Sequence, residues 1–188
     1  MDLTEAPLSP LSPASSLLPG PEAAQQKSQQ RHHPLRETWV VWMHSSQTQD
    51  WSLPSYKVLA VCTTAEELWS AWRATSKFLN DAMFFFMKKE YPPRWDEVQY
   101  QEGGYLSLKV ESRAVVRVTE ELLCKAAGGT LLAPGRDASQ VVGISVSCKG
   151  RSSILKLWCT GRNPEFRSMN MHRSILDTAR FTLAASKA

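Results

Sequence analysis

No two of the four cysteines (Cys62, Cys124, Cys148 and Cys159) form a C-x-x-C pair, and none has a histidine at metal-ligand spacing. A zinc or iron–sulfur site is therefore not expected, and the thiols are read as free and buried in a reducing compartment. Histidine is scarce: His32, His33, His44 and His172 are all there are, and none lies in an H-E-x-x-H or H-x-E pattern. G-x-S-x-G and G-x-x-x-x-G-K-[ST] are absent, and Gly103-Gly104 alone is no phosphate loop. The adjacent carboxylates Asp96-Glu97 and Glu120-Glu121 have the form of a solvated surface, not of a general acid and base. No catalytic residue, metal or cofactor is expected, so the chain does not read as an enzyme. No apolar run reaches the ~18 residues of a membrane span. The N-terminus lacks a basic segment followed by an apolar one, so it is not a secretory signal. A soluble, cytoplasmic, monomeric protein is expected. Charge of one sign is also in short supply: the formal net charge is +4. That excess permits an anionic partner but falls far short of a non-specific nucleic-acid coat.

What is present divides in two. Residues 1–32 hold Pro7, Pro10, Pro13, Pro19 and Pro21, many serines, a Gln-rich run and no aromatic residue. Such a segment cannot bury enough apolar surface to offset its ordering entropy, and it reads as a disordered tail. Residues 33–188 read as one folded domain. Thr38–His44 alternates with both faces apolar, which suits a strand inside a covered sheet. Tyr56–Cys62 reads as a second strand. Thr64 with Glu67 forms a capping box that opens a helix, whose Leu68, Trp72, Thr75 and Leu79 make one stripe with Trp69 on its flank. A short strand over Met83–Met87 and a loop over Tyr91–Glu102 follow. Tyr105–Val110 is a half-buried strand. Val115–Ala127 is a helix ended by Gly128-Gly129. Val141–Cys148 and Ile154–Cys159 form a hairpin across a turn at residues 149–153. Pro164 is placed to start a last helix, and Arg180–Leu183 a last strand. The fold class is α+β: a mostly antiparallel sheet with about three helices.

The chain has seven tryptophans. Five of them (Trp39, Trp42, Trp69, Trp72 and Trp158) fall on expected strands or a helix, where packing is the default. Trp51 and Trp95 fall in polar, proline-bearing loops. Each is either folded back on the core, as tryptophan usually is, or exposed to stack on a ligand. Trp95 is followed by Asp96, and an indole face beside a carboxylate suits guanine: the ring stacks on the base, and the carboxylate accepts from N1–H and N2–H₂.

Order and spacing add to this. The chain reads His33-Pro34-Leu35, three residues, Trp39, two residues, Trp42. Then come Trp51, a helix bearing Trp69, Trp95-Asp96, Gly103-Gly104, Leu122-Leu123-Cys124, and Lys149-Gly150 ahead of Trp158. The series resembles the translation initiation factor 4E family, the eukaryotic cap-binding proteins, across about residues 33–177, in the form of a divergent paralogue. The resemblance implies a curved antiparallel sheet with cap bound on its concave side and helices on its convex side. Trp51 and Trp95 would sandwich 7-methylguanine, Asp96 would hold the guanine edge, Trp158 would lie against the methyl group, and Lys149 and Arg151 would face the phosphates. It also implies capped mRNA as one partner. The other would be a scaffold of the initiation factor 4G type, or a 4E-binding protein, whose helix docks on the convex face at His33, Pro34, Trp69 and Glu120.

This chain departs from the family pattern in several places. The carboxylate is Asp96 where the family has Glu. Ser147 stands where the family has a phosphate-binding arginine, and the segment from Gly150 to Trp158 is two residues longer. These changes imply weaker cap affinity. Thr119 and Ala65 align with larger apolar groove residues, which implies a reduced partner groove. Beside a cap-binding initiation factor stand two alternatives: a cap-binding repressor that recruits the scaffold poorly, and a nucleotide-processing enzyme using Asp96 or Glu97.

Overall fold

The computed structural model describes residues 32–133, 140–161 and 166–183. Residues 1–31 of the expected tail over 1–32, and the helix start at Pro164, lie outside them. Seven strands run in chain order as β1 (Pro34–Ser45), β2 (Tyr56–Thr64), β3 (Ala82–Lys88), β4 (Gly104–Glu111), β5 (Val141–Lys149), β6 (Ser152–Cys159) and β7 (Arg180–Leu183). They form one curved sheet in the order β2-β1-β3-β5-β6-β4-β7, with every pairing antiparallel. Three helices, α1 (Ala65–Thr75), α2 (Val115–Ala127) and α3 (Arg173–Leu176), pack on its convex face.

Alternation along the strands splits the sheet into two apolar layers. On β1, Trp39, Val41 and Met43 point to the helices while Trp42 points away from them. Phe84 and Phe86 on β3, Leu106 and Leu108 on β4, and Leu155 and Leu157 on β6 meet α1 and α2 in the main core. The stripe on α1 is buried as its spacing requires, Leu79 being carried in by a 3₁₀ turn at Ser76–Phe78. Trp72 has its ring edge on Phe86 at 5.7 Å, and its buried Nε1–H donates to Glu120 at 3.1 Å. Thr75 and Thr119 satisfy their hydroxyls within their own helices, on Ala71 and Val115.

The concave face carries a smaller aromatic layer of Tyr56, Phe85, Met87, Tyr100, Val142 and Trp158. A bulge between Val141 and Gly143 helps build it. A Cβ on Gly143 would come within 2.2 Å of the Met87 sulfur, so glycine there lets β5 approach this layer closely.

Two expectations are corrected. The β5–β6 turn is not five residues long: the strands run on to Lys149 and Ser152, leaving Gly150-Arg151, because Gly150 adopts φ +67° and closes a tight hairpin. Nor are all the thiols buried. Cys62 and Cys159 are, but Cys148 is half-buried and Cys124 is exposed, since it falls on the outer flank of α2 one position past Leu123.

Candidate functional site

A cleft of about 630 Å³ opens on the concave face. Its lining joins residues from distant parts of the chain: Trp51, Tyr56, Arg94, Trp95, Asp96, Lys156 and Trp158 are among them. Trp158 is its floor. Fully buried on β6, it donates from Nε1 to Ser145 Oγ at 3.0 Å and takes the ring edges of Phe85 and Tyr100. Its face is covered by Trp95, with ring centroids 3.3 Å apart and planes within 7°. Trp95 is therefore both folded back and part of the cleft. A 3₁₀ turn at Val98–Tyr100 anchors its loop, with Tyr100 donating from its hydroxyl to Pro92 O at 3.0 Å.

Trp51 is 50% exposed and lies flat on His44, centroids 4.2 Å apart with planes within 3°. His44 is buried on β1, and its Nε2 faces Asp50 O at 2.7 Å. That carbonyl can only accept, so Nε2 carries the proton and Nδ1 is left without a partner. Asp50 in turn accepts from Ser52 N at 2.8 Å, which fixes the loop on both sides of Trp51 and lowers the Asp50 pKa.

Asp96 is held by Arg94, whose Nε donates to Oδ1 at 2.9 Å and whose terminal nitrogen donates to Oδ2. Glu97 lies 3.6 Å from the same guanidinium. Asp96 raises the Arg94 pKa by this pairing. Arg94 has no place among the sequence-based candidates.

Neither has Lys156, which the cleft places next to Trp95. Its ammonium stands 4.0 Å from the Tyr105 ring centroid and 5.9 Å from that of Trp95. The signal was a charged residue two positions before Trp158 in an otherwise apolar strand, hence on the same face. Lys149 lies on the concave side of the same hairpin nearer its end, and Arg151 lies in the turn. Both are exposed and stand outside the cleft lining.

A second hollow, of about 480 Å³, lies on the convex side between the start of β1, α1 and α2. His33, Pro34, Ala65, Trp69, Leu123 and Cys124 line it, and Trp69 is 37% exposed. His33 bridges β1 to α1: its carbonyl accepts from Ala65 N at 2.8 Å, while its own N–H donates to Glu66 at 3.0 Å and its ring meets the same carboxylate. These hydrogen bonds pull the Glu66 pKa down to about 2. Glu120 is not among the lining residues, being turned to Trp72, and Thr119 is buried in the core.

One helix-backed antiparallel sheet with an aromatic, charge-lined cleft on its other face defines a binding protein of the α+β class. Residues 34–186 match the family described as eukaryotic initiation factor 4E, and the chain belongs to that family. Solved structures share the fold. A structure of Ascaris suum eIF4E-3 with m7G cap has a TM-score of 0.68 at 18% identity, covering 83% of this chain and 93% of that one. Schistosome eIF4E complexed with m7GpppA and 4E-BP gives 0.67 at 22% identity, over 81% and 88%. Caenorhabditis elegans eIF4E-3 with the 4E-binding protein Mextli and a cap analogue gives 0.66 at 16%, over 81% and 92%.

Proposed function

We propose that this protein binds the 7-methylguanosine cap of mRNA in the concave cleft and a helix of a scaffold or 4E-binding protein in the convex hollow. The observation that carries the reading is the convergence of Trp51, Trp95 and Asp96, from two separate loops, on one cleft. Trp51 keeps one face on His44 and offers the other to the base. Trp95 leaves Trp158 to close the sandwich. A cationic base between two indole faces gains roughly 0.5–2 kcal/mol per face over ordinary stacking. Asp96 accepts from the guanine edge. The two bonds from Arg94 orient that carboxylate in the cleft lining. The proteins of known structure with this fold include ones solved with m7G cap and with 4E-binding proteins, which agrees with both sites.

Tryptophan fluorescence titrated with 7-methyl-GTP and with GTP tests the cap reading. The methylated nucleotide is expected to bind about tenfold tighter or more, and equal affinities would sink the proposal. A second reading, a cap-binding repressor with poor scaffold recruitment, is favoured by the small Ala65 in the groove and by the turning of Thr119 into the core.

A further inference from the structure

Lys156 belongs to none of the base-binding groups above. It projects from the middle of the sheet, opposite Ser145 on β5 and Ser107 on β4. Its ammonium rests over the Tyr105 ring, with the Trp95 ring beyond. Among the described residues it makes no ion pair, and the carboxylate in the cleft lining, Asp96, is engaged by Arg94. Burial, and then the like charge of Lys149, lower its pKa. A half-buried ammonium held by ring faces, repelled by the like charge of Lys149 and without an ion pair among the described residues, is a positive centre that an anion would relieve. The cleft around it is open and large enough for a nucleotide.

We infer that Lys156 is the anion-binding centre of the cleft and takes a phosphate oxygen of the bound nucleotide. That the nucleotide is a cap rests on the reading above; that the anion is a phosphate chain rests on Lys156 itself. β5 carries no cation between Ser145 and Lys149, so the charge at the cleft floor comes from the paired strand instead. From Lys156 the positive track continues outward. Lys149 lies four residues from Ser145 along β5, roughly 13 Å at the strand rise, and Arg151 follows in the turn. A phosphate chain leaving the stacked base runs along this hairpin face, its inner end on Lys156.

The test compares wild type, Lys156→Met and Lys156→Arg by calorimetric titration with 7-methyl-GTP, 7-methylguanosine nucleoside and inorganic tripolyphosphate. Lys156→Met is expected to weaken 7-methyl-GTP about tenfold or more, to abolish tripolyphosphate binding, and to leave the nucleoside within about twofold. Lys156→Arg is expected to restore most of the loss. The slope of log affinity for 7-methyl-GTP against log salt is expected to drop in Lys156→Met alone. An equal loss for nucleoside and nucleotide would make Lys156 a structural or base contact and overturn the inference. Unchanged 7-methyl-GTP binding, or a wild type that ignores tripolyphosphate at millimolar concentration, would overturn it too, the latter without any variant needing to fold. Tripolyphosphate binding through Lys156 with no preference for methylated guanosine would leave the anion centre standing while removing the cap reading.

Discussion

Trp51 and Trp95 each stack on a ring of the fold, and that sets how cleanly each can be tested. Trp51 is half exposed on a loop and rests on His44, so Trp51→Ala is expected to cost about 0.5–1.5 kcal/mol, the worth of that stack. Trp95 covers Trp158, so its truncation gives up an aromatic stack worth about 0.5–1.5 kcal/mol and still leaves a folded protein. Both variants are expected to lose most retention on a cap-analogue resin while melting cooperatively. Normal retention by either would remove that residue from the site. At this scale the sequence was partly legible. Polar, proline-bearing surroundings set Trp51 and Trp95 apart from the packed tryptophans, and the structure brings both to one cleft. Trp158 was placed in the site by the resemblance, but the stacking of Trp95 on it and of Trp51 on His44 was not legible, because His44 and Trp158 come from strands whose register no local pattern specifies. Lys156 was passed over for a related reason. A lone lysine in an alternating strand reads as a solvent face, and only the pairing of β6 with β4 and β5 turns that face into a cleft floor.

The first turn of α1 is the element on which the convex site rests. Thr64 Oγ1 accepts from Glu67 N at 3.3 Å, and Glu67 Oε2 accepts from Thr63 N at 2.7 Å, Thr63 Oγ1 at 3.0 Å and Thr64 N at 3.0 Å. Thr64→Ala removes one arm of this box and leaves Glu67 N without its side-chain acceptor. The expected cost is about 1 kcal/mol in urea unfolding, with an unchanged m-value. A neutral result would show that the Glu67 arm alone holds the turn. The same box was readable in the sequence because capping is local chemistry: Thr64 and Glu67 carry their own partners within four residues. The span of α2 and the final strand β7 were legible on similar local grounds, by apolar spacing and a glycine stop in the first and by β-rich composition in the second. The hairpin turn was not, since Lys149-Gly150-Arg151-Ser152-Ser153 is polar throughout and only strand pairing shows that Lys149 and Ser152 belong to the ladder. The described last helix begins at Arg173, capped by the His172 ring accepting from Ser174 N. A histidine cap is not a signal that sequence patterns carry strongly.

The whole molecule places two candidate sites on opposite faces of one sheet, with the main core between them. A substitution in one hollow should therefore leave the other unaffected, unless it unfolds the domain. Trp69 is the residue on which this separation is best tested. It lies on the flank of α1 beside the buried Leu68, lines the convex hollow, and exposes about a third of its surface. It is not a member of the concave layer, which is built from Tyr56, Phe85, Met87, Tyr100, Val142 and Trp158. Its neighbours are already ordered: His33 is clasped by Glu66 and by the α1 backbone, and Leu123 is buried in the core. A tryptophan held ready on a rigid rim suits an interface anchor, and truncating such an anchor costs about 2 kcal/mol or more of binding. The groove beside it is modest, because Ala65 is small, Thr119 is turned into the core and Glu120 is committed to Trp72. A partner helix of the Y-x-x-x-x-L-Φ type, which the family resemblance implies, is thus expected to bind, but with reduced affinity. Trp69→Ala is expected to weaken that peptide about thirtyfold or more, with 7-methyl-GTP affinity unchanged and a melting point close to wild type. Unchanged peptide binding would move the partner site off this hollow. Loss of cap affinity in a still-folded variant would show instead that the two faces are coupled through the core, which the opposed geometry of the sheet does not predict.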